Sequence, residues 1–341
     1  MRIANSKMSY RKLIGINCHK IRFVLVAPLA LLSCFQIGCA GKPRMQVSYD
    51  GATGQYRIVD DKQLVLQYNY ATVKLPAGYL EKVHPDNRKY TVPRSNYIHP
   101  LFGPEGEQLT LDFSFSGDHP HHRGIYWAWP EVQYQGKTAD LHALQNVFAR
   151  PTGKIKTLNG NDYAEIQAEN RWLWEDKTPI VCETATIRAW SASETGRYID
   201  LTYTFAPLVD GVTLARRGTR AYGGLNIRLS AVKELKLNHH ADAADALPRA
   251  AWQSVTGIWT GSSKPVVLAV FEKSDNPDYP GDYVQYPNLP WFQPTFPRAG
   301  TRYELKKDQP LVLRYRLWIS SGTPPTEEEY RRQWNIYQNE K

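Results

Sequence analysis

The stretch YIDLTYTF, residues 198–205, alternates strictly between apolar and polar side chains. Because successive side chains of a strand point to opposite faces, this alternation predicts a strand with one face in a core and the other towards solvent. The segment LVLRYRLWIS, residues 311–320, alternates in a similar way. Both segments therefore predict half-buried antiparallel strands. The apolar face of the first consists of Ile199, Leu201, Tyr203 and Phe205.

Strand-like segments recur along the rest of the chain, separated by clusters of Gly, Pro, Asn and Asp. They lie at residues 55–61, 64–75, 109–115, 162–174, 182–190, 225–230 and 265–272. Roughly a dozen strands without alternating helices predict an all-β chain, folded as a large antiparallel two-sheet β-sandwich.

A single helix is predicted at the carboxyl end. Thr326 is followed three residues later by Glu329, which is the spacing of a capping box. The residues after it place Tyr330, Trp334 and Tyr337 on one stripe. The pattern predicts one C-terminal helix that packs on the β body.

The amino terminus predicts export. Residues 1–22 carry six basic and no acidic residues, and the sixteen residues at 23–38 are mostly apolar, which is short for a membrane span. Gly38-Cys39 resembles a lipoprotein cleavage site, with Cys39 as the lipidated residue and Cys34 as the alternative. The other possibilities are simple secretion and an uncleaved membrane anchor. We therefore predict a lipoprotein-type export signal over 1–38, a short tether over 39–45 and one β-sandwich domain over 46–341. The predicted location is periplasmic, or the outer membrane or cell surface.

Charge and cysteine content narrow the function. Removal of residues 1–38 changes 42 basic against 33 acidic residues to 36 against 33, a net charge of +3. The basic character of the chain therefore belongs largely to the signal, and nucleic-acid binding is not predicted. Cys182 would be the single cysteine after residue 39, so an intrachain disulfide and a cysteine-based zinc site are excluded from the domain.

Residues 273–297 combine six prolines with six aromatic residues and lack strand alternation. The segment is too apolar for a solvated linker, so we predict an ordered loop that lies over a surface or a cleft.

The segment DHPHHRG, residues 118–124, contains three of the nine histidines of the chain. Pro120 biases His119 towards an extended conformation, in which His119 and His121 would share one side with Arg123 and His122 would turn inward. Three interpretations stay open. The side chains are structural hydrogen-bonding groups of a turn, or they form a metal site with a distant third ligand such as a carboxylate, His99 or His142. In the third interpretation, which we favour, they act without a metal as acid–base groups and orient the substrate.

Aromatic residues are frequent next to the histidine segment and within residues 273–297. Aromatic faces commonly pack against sugar rings. We predict that Trp127 and Trp318 belong to the core and that Trp291 does not. The paired glycines Gly223 and Gly224 predict a bulge or a close backbone approach. The chain contains no GxSxG, HExxH, Walker-type or GxGxxG motif, which argues against the corresponding enzyme classes.

Five segments, at residues 98–113, 118–129, 221–230, 271–283 and 313–325, resemble in order and spacing the exported bacterial proteins of largely unknown function labelled PmoA-like. The resemblance implies a β-sandwich like that of galactose mutarotase and related sugar enzymes. A membrane subunit of methane monooxygenase would need several apolar spans of about twenty residues, so the label is misleading. The residues that the resemblance marks are His99, Asp118, His119, His121, His122, Arg123, Tyr222, Gly223, Gly224, Asn276 and Pro277.

These observations predict an exported carbohydrate-active enzyme, a hydrolase, lyase or epimerase, that acts on a plant or algal glycan or sugar derivative. The predicted catalytic residues are His119, His121, His122 and Arg123. The predicted substrate contacts are His99, Asp118, Tyr222, Asn276, Tyr283 and Trp291. A non-catalytic glycan-binding lipoprotein and a metal-dependent enzyme remain as alternatives. The predicted partners are a carbohydrate and, through the lipid, a membrane; no cofactor is predicted, while a divalent metal stays open.

Overall fold

The structure is a computed structural model that describes residues 42–114, 118–240, 250–286 and 289–340. The predicted export signal and both candidate lipidated cysteines, Cys34 and Cys39, lie outside the described residues. Within those ranges we find no helix with the length and apolar character that a membrane span requires.

Strands make up most of the described chain, and alternation along them sets which side chains reach the core. In the described residues there are twenty strands, two α-helices and two short 3-10 helices. The strands are β1 (Met45–Asp50), β2 (Gln55–Asp60), β3 (Gln63–Asn69), β4 (Tyr97–Leu101), β5 (Ile125–Ala128), β6 (Glu131–Tyr134), β7 (Lys137–Ala139), β8 (Val147–Leu158), β9 (Tyr163–Trp174), β10 (Thr178–Trp190), β11 (Arg197–Pro207), β12 (Thr213–Ala215), β13 (Gly224–Arg228), β14 (Val232–His240), β15 (Trp252–Trp259), β16 (Val266–Glu272), β17 (Asp282–Tyr286), β18 (Leu289–Thr295), β19 (Tyr303–Glu304) and β20 (Leu311–Ser321). The helices are α1 (Tyr79–Lys82), α2 (Glu327–Asn339), and the 3-10 turns Pro85–Tyr90 and Arg217–Thr219.

Two large sheets form the body of the fold. The first sheet has the strand order β1-β2-β3-β4-β5-β13-β18-β17, and the second sheet has the order β14-β15-β16-β20-β11-β10-β9-β8. A smaller sheet has the order β19-β12-β6-β7. The strands pair antiparallel, as between β10 and β11 and between β5 and β13. The prediction of an all-β, antiparallel, two-sheet chain with a C-terminal helix is confirmed.

The inner faces of the two sheets share one apolar core. Along β11 the burial alternates as the sequence predicts, with Leu201 and Phe205 inaccessible to solvent. Trp127 of β5 crosses from the first sheet and contacts the rings of Tyr203 and Phe205, each with ring centroids 5.3 Å apart. The sheets therefore pack face to face, and the prediction that Trp127 is a core residue is confirmed.

The outer face of the second sheet is covered by α2. Tyr330 and Tyr337 of the helix pack with Phe271 and Trp318 of the sheet in a second apolar cluster. The helix begins where the sequence predicts, because the Thr326 side chain accepts a hydrogen bond of 3.2 Å from the Glu329 N–H. Trp318 is buried under this helix in the second cluster, and not in the core between the sheets where the sequence predicts it.

The outer face of the first sheet is covered by connections instead of a helix. In β5, Ile125 and Trp127 belong to the inner core, so alternation turns Tyr126 to the outer face. In β13 the same rule turns Asn226 and Arg228 outward, since Leu225 and Ile227 are core residues. These outward side chains carry the candidate site.

Two local predictions are wrong. Residues 109–114 form one isolated bridge, between Thr110 and Leu229, and no strand. The Thr110 hydroxyl instead accepts a hydrogen bond from the Leu101 N–H at 3.0 Å. Within 273–297, the predicted loop contains the hairpin of β17 and β18. The edge strand β17 contains no proline, whereas β18, which lies between β13 and β17, contains Pro290 and Pro294.

Candidate functional site

A cavity of about 860 Å³ opens on the outer face of the first sheet. Strands β13 and β18 supply Arg228 and Trp291, and most of the remaining lining belongs to connections between elements. The lining consists of Asn87, Tyr90, Asp118, His119, His121, His122, Asp140, His142, Ala143, Arg217, Tyr222, Arg228, Tyr286, Leu289, Pro290 and Trp291. This volume is typical of a site for a small molecule.

The connection that precedes β5 turns sharply at His119. His119 has a φ of +50°, and the His122 N–H donates to the His119 carbonyl oxygen at 2.9 Å. The turn gathers the rings of His119, His121 and His122, with centroids 4.6 to 6.1 Å apart. The prediction that His122 turns away from the other two is therefore wrong, because a reverse turn replaces the alternation of an extended strand.

A fourth imidazole comes from the connection after β7. The ring of His142 lies 4.6 Å from that of His121 and 5.0 Å from that of His122, between centroids. One ring nitrogen from each of these three residues lies within 4.8 Å of the other two. We call His121, His122 and His142 the histidine triad.

Hydrogen bonds hold the triad from behind. The Tyr126 hydroxyl donates to the His121 carbonyl oxygen at 2.9 Å and lies 2.9 Å from Nδ1 of His142. The Arg94 guanidinium donates to the His142 carbonyl oxygen and sits 4.1 Å from the centre of the Tyr126 ring. Tyr126 and Arg94 thus fix two connections that are distant in sequence.

Burial controls the charge of the triad. Burial lowers the pKa of His121 to about 3, and it takes the pKa values of His122 and His142 well below their usual range. Neighbouring cations such as Arg94 and Arg228 act in the same direction. The triad is therefore neutral at pH 7, and its nitrogens are available as lone-pair donors or proton acceptors.

Two arginines add positive charge to the cavity. Arg217 donates to Asp140 at 2.6 Å. Arg228 is 5% exposed, and its Nε and Nη1 atoms have no hydrogen-bond partner among the described residues. A buried guanidinium without partners is costly, so this side chain is prepared for an anionic group of a ligand.

Aromatic rings form one wall of the cavity. Tyr286 stacks on Trp291 with centroids 5.0 Å apart and an interplanar angle of 10°. Trp291 also stacks on the His122 ring, with centroids 5.5 Å apart. Trp291 is buried, but it lines the cavity and lies outside the apolar core cluster, as predicted.

Arg123 does not line the cavity, in contrast to the prediction that it shares a side with His119 and His121. Its guanidinium bonds both carboxylate oxygens of Asp112, with Nη2 3.0 Å from Oδ2, and it donates to the Tyr97 hydroxyl at 2.7 Å. The guanidinium also lies 3.6 Å from the centre of the Phe113 ring. A buried ion pair orients Arg123 away from the ligand space.

Three predicted substrate contacts also lie elsewhere. His99 is placed 3.1 Å from the Thr110 hydroxyl through Nδ1, and burial lowers its pKa to about 4. Asn276 holds a turn against β20 through both backbone groups of Arg314, at 2.8 and 2.9 Å. Tyr283 stacks on His239 with centroids 4.1 Å apart. None of the three belongs to the cavity lining in the described residues.

Other predicted residues reach the cavity. Asp118, His119, His121, His122, Tyr222 and Trp291 all line it. The glycines after Tyr222 allow a close approach, as predicted, because a Cβ on Gly224 would collide with the Pro294 carbonyl oxygen of β18. Sequence reasoning missed Arg217, Asp140 and Tyr90, which no local pattern distinguishes from surface residues.

Comparison with known proteins adds weak structural similarities. No curated protein sequence matches the chain. A protein assigned as a kojibiose phosphorylase from the human microbiome has 9% identity and a TM-score of 0.33, over 64% of this chain and 26% of that one. A polysaccharide lyase has 10% identity and a TM-score of 0.29, over 70% and 32%. A protein assigned as an aldose 1-epimerase from Escherichia coli K12 has 9% identity and a TM-score of 0.31, over 82% and 96%.

The chain spans about a quarter to a third of the length of the first two of these proteins. Identities and TM-scores of this size assign no activity to the chain. The sequence model of a family of unknown function, DUF6807, matches residues 55–335. That match covers most of the chain, and the protein therefore belongs to the DUF6807 family.

Proposed function

We propose that this protein is an exported carbohydrate-active enzyme that binds a sugar derivative with an anionic or oxidised group in the cavity of the first sheet. The observation that carries the proposal is the presence of an aromatic platform, an unpartnered arginine and an exposed histidine in one cavity. Export and lipidation at Cys39, together with the PmoA-like resemblance, stay predictions from the sequence.

Tyr286 supplies the platform for the sugar ring. It is 41% exposed although one face of its ring is covered by Trp291, so the other face is open to a ligand. Aromatic faces pack against the apolar C–H patches of sugars, and polar groups such as Asn87 and Asp118 are available to the hydroxyls.

Arg228 supplies the charge recognition. Its unpartnered nitrogens favour a carboxylate, as in a uronic acid, or the oxygen of a keto-sugar that becomes anionic during reaction. This role replaces the one that the sequence assigned to Arg123, which is already paired with Asp112.

His119 is the general base in this proposal. It is exposed at the cavity, and burial followed by the charge of Arg228 lowers its pKa, so the ring is neutral at pH 7. A neutral imidazole next to a guanidinium is suited to remove a proton from a carbon beside a carboxylate or ketone, because the guanidinium stabilises the enolate oxygen. In an elimination, the C–O bond at the next carbon then breaks and the imidazolium gives its proton to the departing oxygen. In an epimerisation, water protonates the carbon from the opposite face and the imidazolium returns its proton to solvent.

This chemistry favours a lyase or an epimerase over a glycoside hydrolase. Ordinary glycosidases use a pair of carboxyl groups, one of them protonated. The acidic residues in the described lining are Asp118, which is exposed, and Asp140, which is engaged by Arg217. We therefore assign proton abstraction, and not acid-assisted hydrolysis, to the cavity.

The test is solvent deuterium exchange and product analysis with a panel of uronic-acid and keto-sugar oligosaccharides in D2O. Wild type should exchange or eliminate at the carbon beside the acidic group, and His119→Gln should slow this at least about 100-fold. Arg171→Gln, at an exposed position outside the cavity lining, is the control and should retain wild-type rates.

Turnover that persists in His119→Gln would contradict the assignment of the base. Binding of panel sugars with no turnover in wild type would reject the enzyme and support a glycan-binding protein.

A further inference from the structure

The proposed function uses His119 and Arg228 and leaves the histidine triad without a role. In His121 and His122, the Nδ1 atom is buried and has no hydrogen-bond partner among the described residues. A buried polar nitrogen without a partner costs free energy unless a ligand satisfies it. Two such atoms side by side point to a missing ligand.

We propose that His121, His122 and His142 form a binding site for one divalent transition-metal ion, such as Zn²⁺, at the base of the sugar cavity. Three imidazoles with one ring nitrogen each inside a 4.8 Å circle are the donor set that such ions prefer over hard oxygen-seeking cations. The proposal does not depend on which sugar reaction the cavity performs.

The geometry is close to that of a bound ion. With Zn–N bonds of about 2.05 Å, tetrahedral ligand nitrogens lie roughly 3.3 Å apart. The widest pair in the triad, at up to 4.8 Å, would need to close by about 1.5 Å, which imidazole side chains can achieve by small rotations about χ1 and χ2. Two of the ligands, His121 and His122, are adjacent in the same turn, with ring centroids 4.6 Å apart.

The outer partners of the triad match those of metal ligands. A metal-bound histidine usually donates its second N–H to a protein acceptor, which fixes the ring and its tautomer. The Tyr126 hydroxyl donates its own proton to the His121 carbonyl oxygen, so it can accept a hydrogen bond from Nδ1 of His142 at 2.9 Å. That arrangement leaves the other nitrogen of His142 as a lone-pair donor.

The positive charges around the triad determine which further ligand the bound metal would accept. Arg217 and Arg228 also line the cavity, and Arg217 is balanced by Asp140. A dication beside Arg228 favours an anionic group that touches both, and the carboxylate or enolate oxygen of the proposed substrate is such a group. With three protein ligands, the ion keeps at least one open position for that oxygen, as catalytic sites do.

The test measures metal binding directly and does not use turnover. The full chain is treated with a chelator, dialysed, and titrated with Zn²⁺ or Co²⁺ alone, with metal content read by mass spectrometry and Co²⁺ coordination by visible absorption. We expect about one equivalent of metal, and a cobalt spectrum with no thiolate charge-transfer band. That band would instead indicate binding at cysteines and would count against the triad.

Variants locate the site. His142→Ala should lower the affinity at least about 100-fold, and Tyr126→Phe, which keeps all three ligands, should lower it about 10- to 100-fold. His99→Gln, a histidine of the same sheet that is bonded to Thr110, is the matched control and should bind metal as wild type does.

If His142→Ala does not fold, His142→Gln replaces it, with the circular dichroism spectrum as the check. Wild type that binds neither ion, or equal binding by the His142 variants, would overturn the proposal. Because sugar exchange is measured separately, failure of the metal site and failure of the proposed sugar chemistry are distinguishable.

Discussion

The outer faces of the two large sheets are covered in opposite ways. The second sheet is closed by the amphipathic helix α2, whose Tyr330 and Tyr337 pack on Phe271 and Trp318. The first sheet is closed by connections that leave the cavity between them. Both faces rest on strands with the same two-residue alternation, so the difference comes from the outward side chains themselves.

On the helix face, charged groups find partners within the protein. Lys273 donates to the carbonyl oxygens of Tyr337 and Glu340, at 2.5 and 2.9 Å, at the carboxyl end of α2. Arg316 bonds Asp200 at 2.6 and 2.8 Å and also the Glu340 carboxylate. Trp252 is an exception, since its Nε1 has no partner among the described residues.

On the cavity face, several buried polar atoms lack partners. Arg228 and two histidines of the triad hold such atoms, again within the described ranges. Unpartnered polar groups reduce stability, and folds tolerate them mainly where a ligand completes them. The helix face of the second sheet therefore contributes stability, whereas the cavity face of the first sheet is less stable than it could be because its polar groups are left for a ligand.

The largest expected effect tests the helix face. Phe271→Ala removes a buried ring from the cluster under α2 and should lower the free energy of unfolding by about 3–5 kcal/mol, measured by urea denaturation. Zn²⁺ affinity and sugar turnover of the folded protein should stay at wild-type values. If Phe271→Ala lost metal binding without losing stability, the two faces would not be independent of each other.

A paired substitution of arginines compares the faces directly. Arg228→Met should leave the free energy of unfolding unchanged or higher, because it removes an unpartnered buried charge, while turnover of uronic-acid substrates falls about 100-fold or more. Arg316→Met on the helix face should do the reverse, lowering stability by about 3 kcal/mol with turnover retained. Equal stability losses in both variants would remove the contrast.

Acid should weaken the first sheet through His99. Its pKa in the folded protein is lowered by burial to about 4, below its unfolded value near 6.5, so the unfolded chain binds more protons between these values. Stability is therefore complete above pH 6.5 and falls towards pH 4, by up to about 1.4 kcal/mol per pH unit for this residue. His99→Gln should reduce, but not abolish, the dependence of the denaturation midpoint on pH, because burial lowers the pKa values of the three triad histidines in the same direction. Identical pH profiles for wild type and His99→Gln would show that His99 does not contribute.

The smallest expected effect concerns the start of α2. Thr326→Ala removes the side-chain cap of the Glu329 N–H and should cost about 1 kcal/mol in the free energy of unfolding. The exposed Thr323→Ala, just ahead of the helix, should change little. Any effect of Thr326→Ala on Zn²⁺ affinity would mean that the two faces are coupled.

The sequence predicts the parts of this fold that depend on long local periods. Strands such as β11 and β20 have eleven residues each, and α2 has thirteen with a recognisable cap, so their patterns outweigh chance. Strands of two to four residues, as in the small sheet, carry too little alternation to be detected.

The candidate site is only partly predictable for a different reason. The density of histidines at 118–124 locates the right segment, but the turn at His119 depends on one hydrogen bond, to His122, that extended alternation does not anticipate. His142 follows β7 and Arg217 follows β12, and both strands pair with β6 in the small sheet, although more than seventy residues separate β7 from β12 in the chain. A single sequence contains no signal for that pairing.

The hydroxyl group of Tyr126 touches both the turn that carries His121 and the connection that carries His142. Because Tyr126 is held in strand β5, the distance between His121 and His142 is set by a residue of the sheet and not by either connection alone.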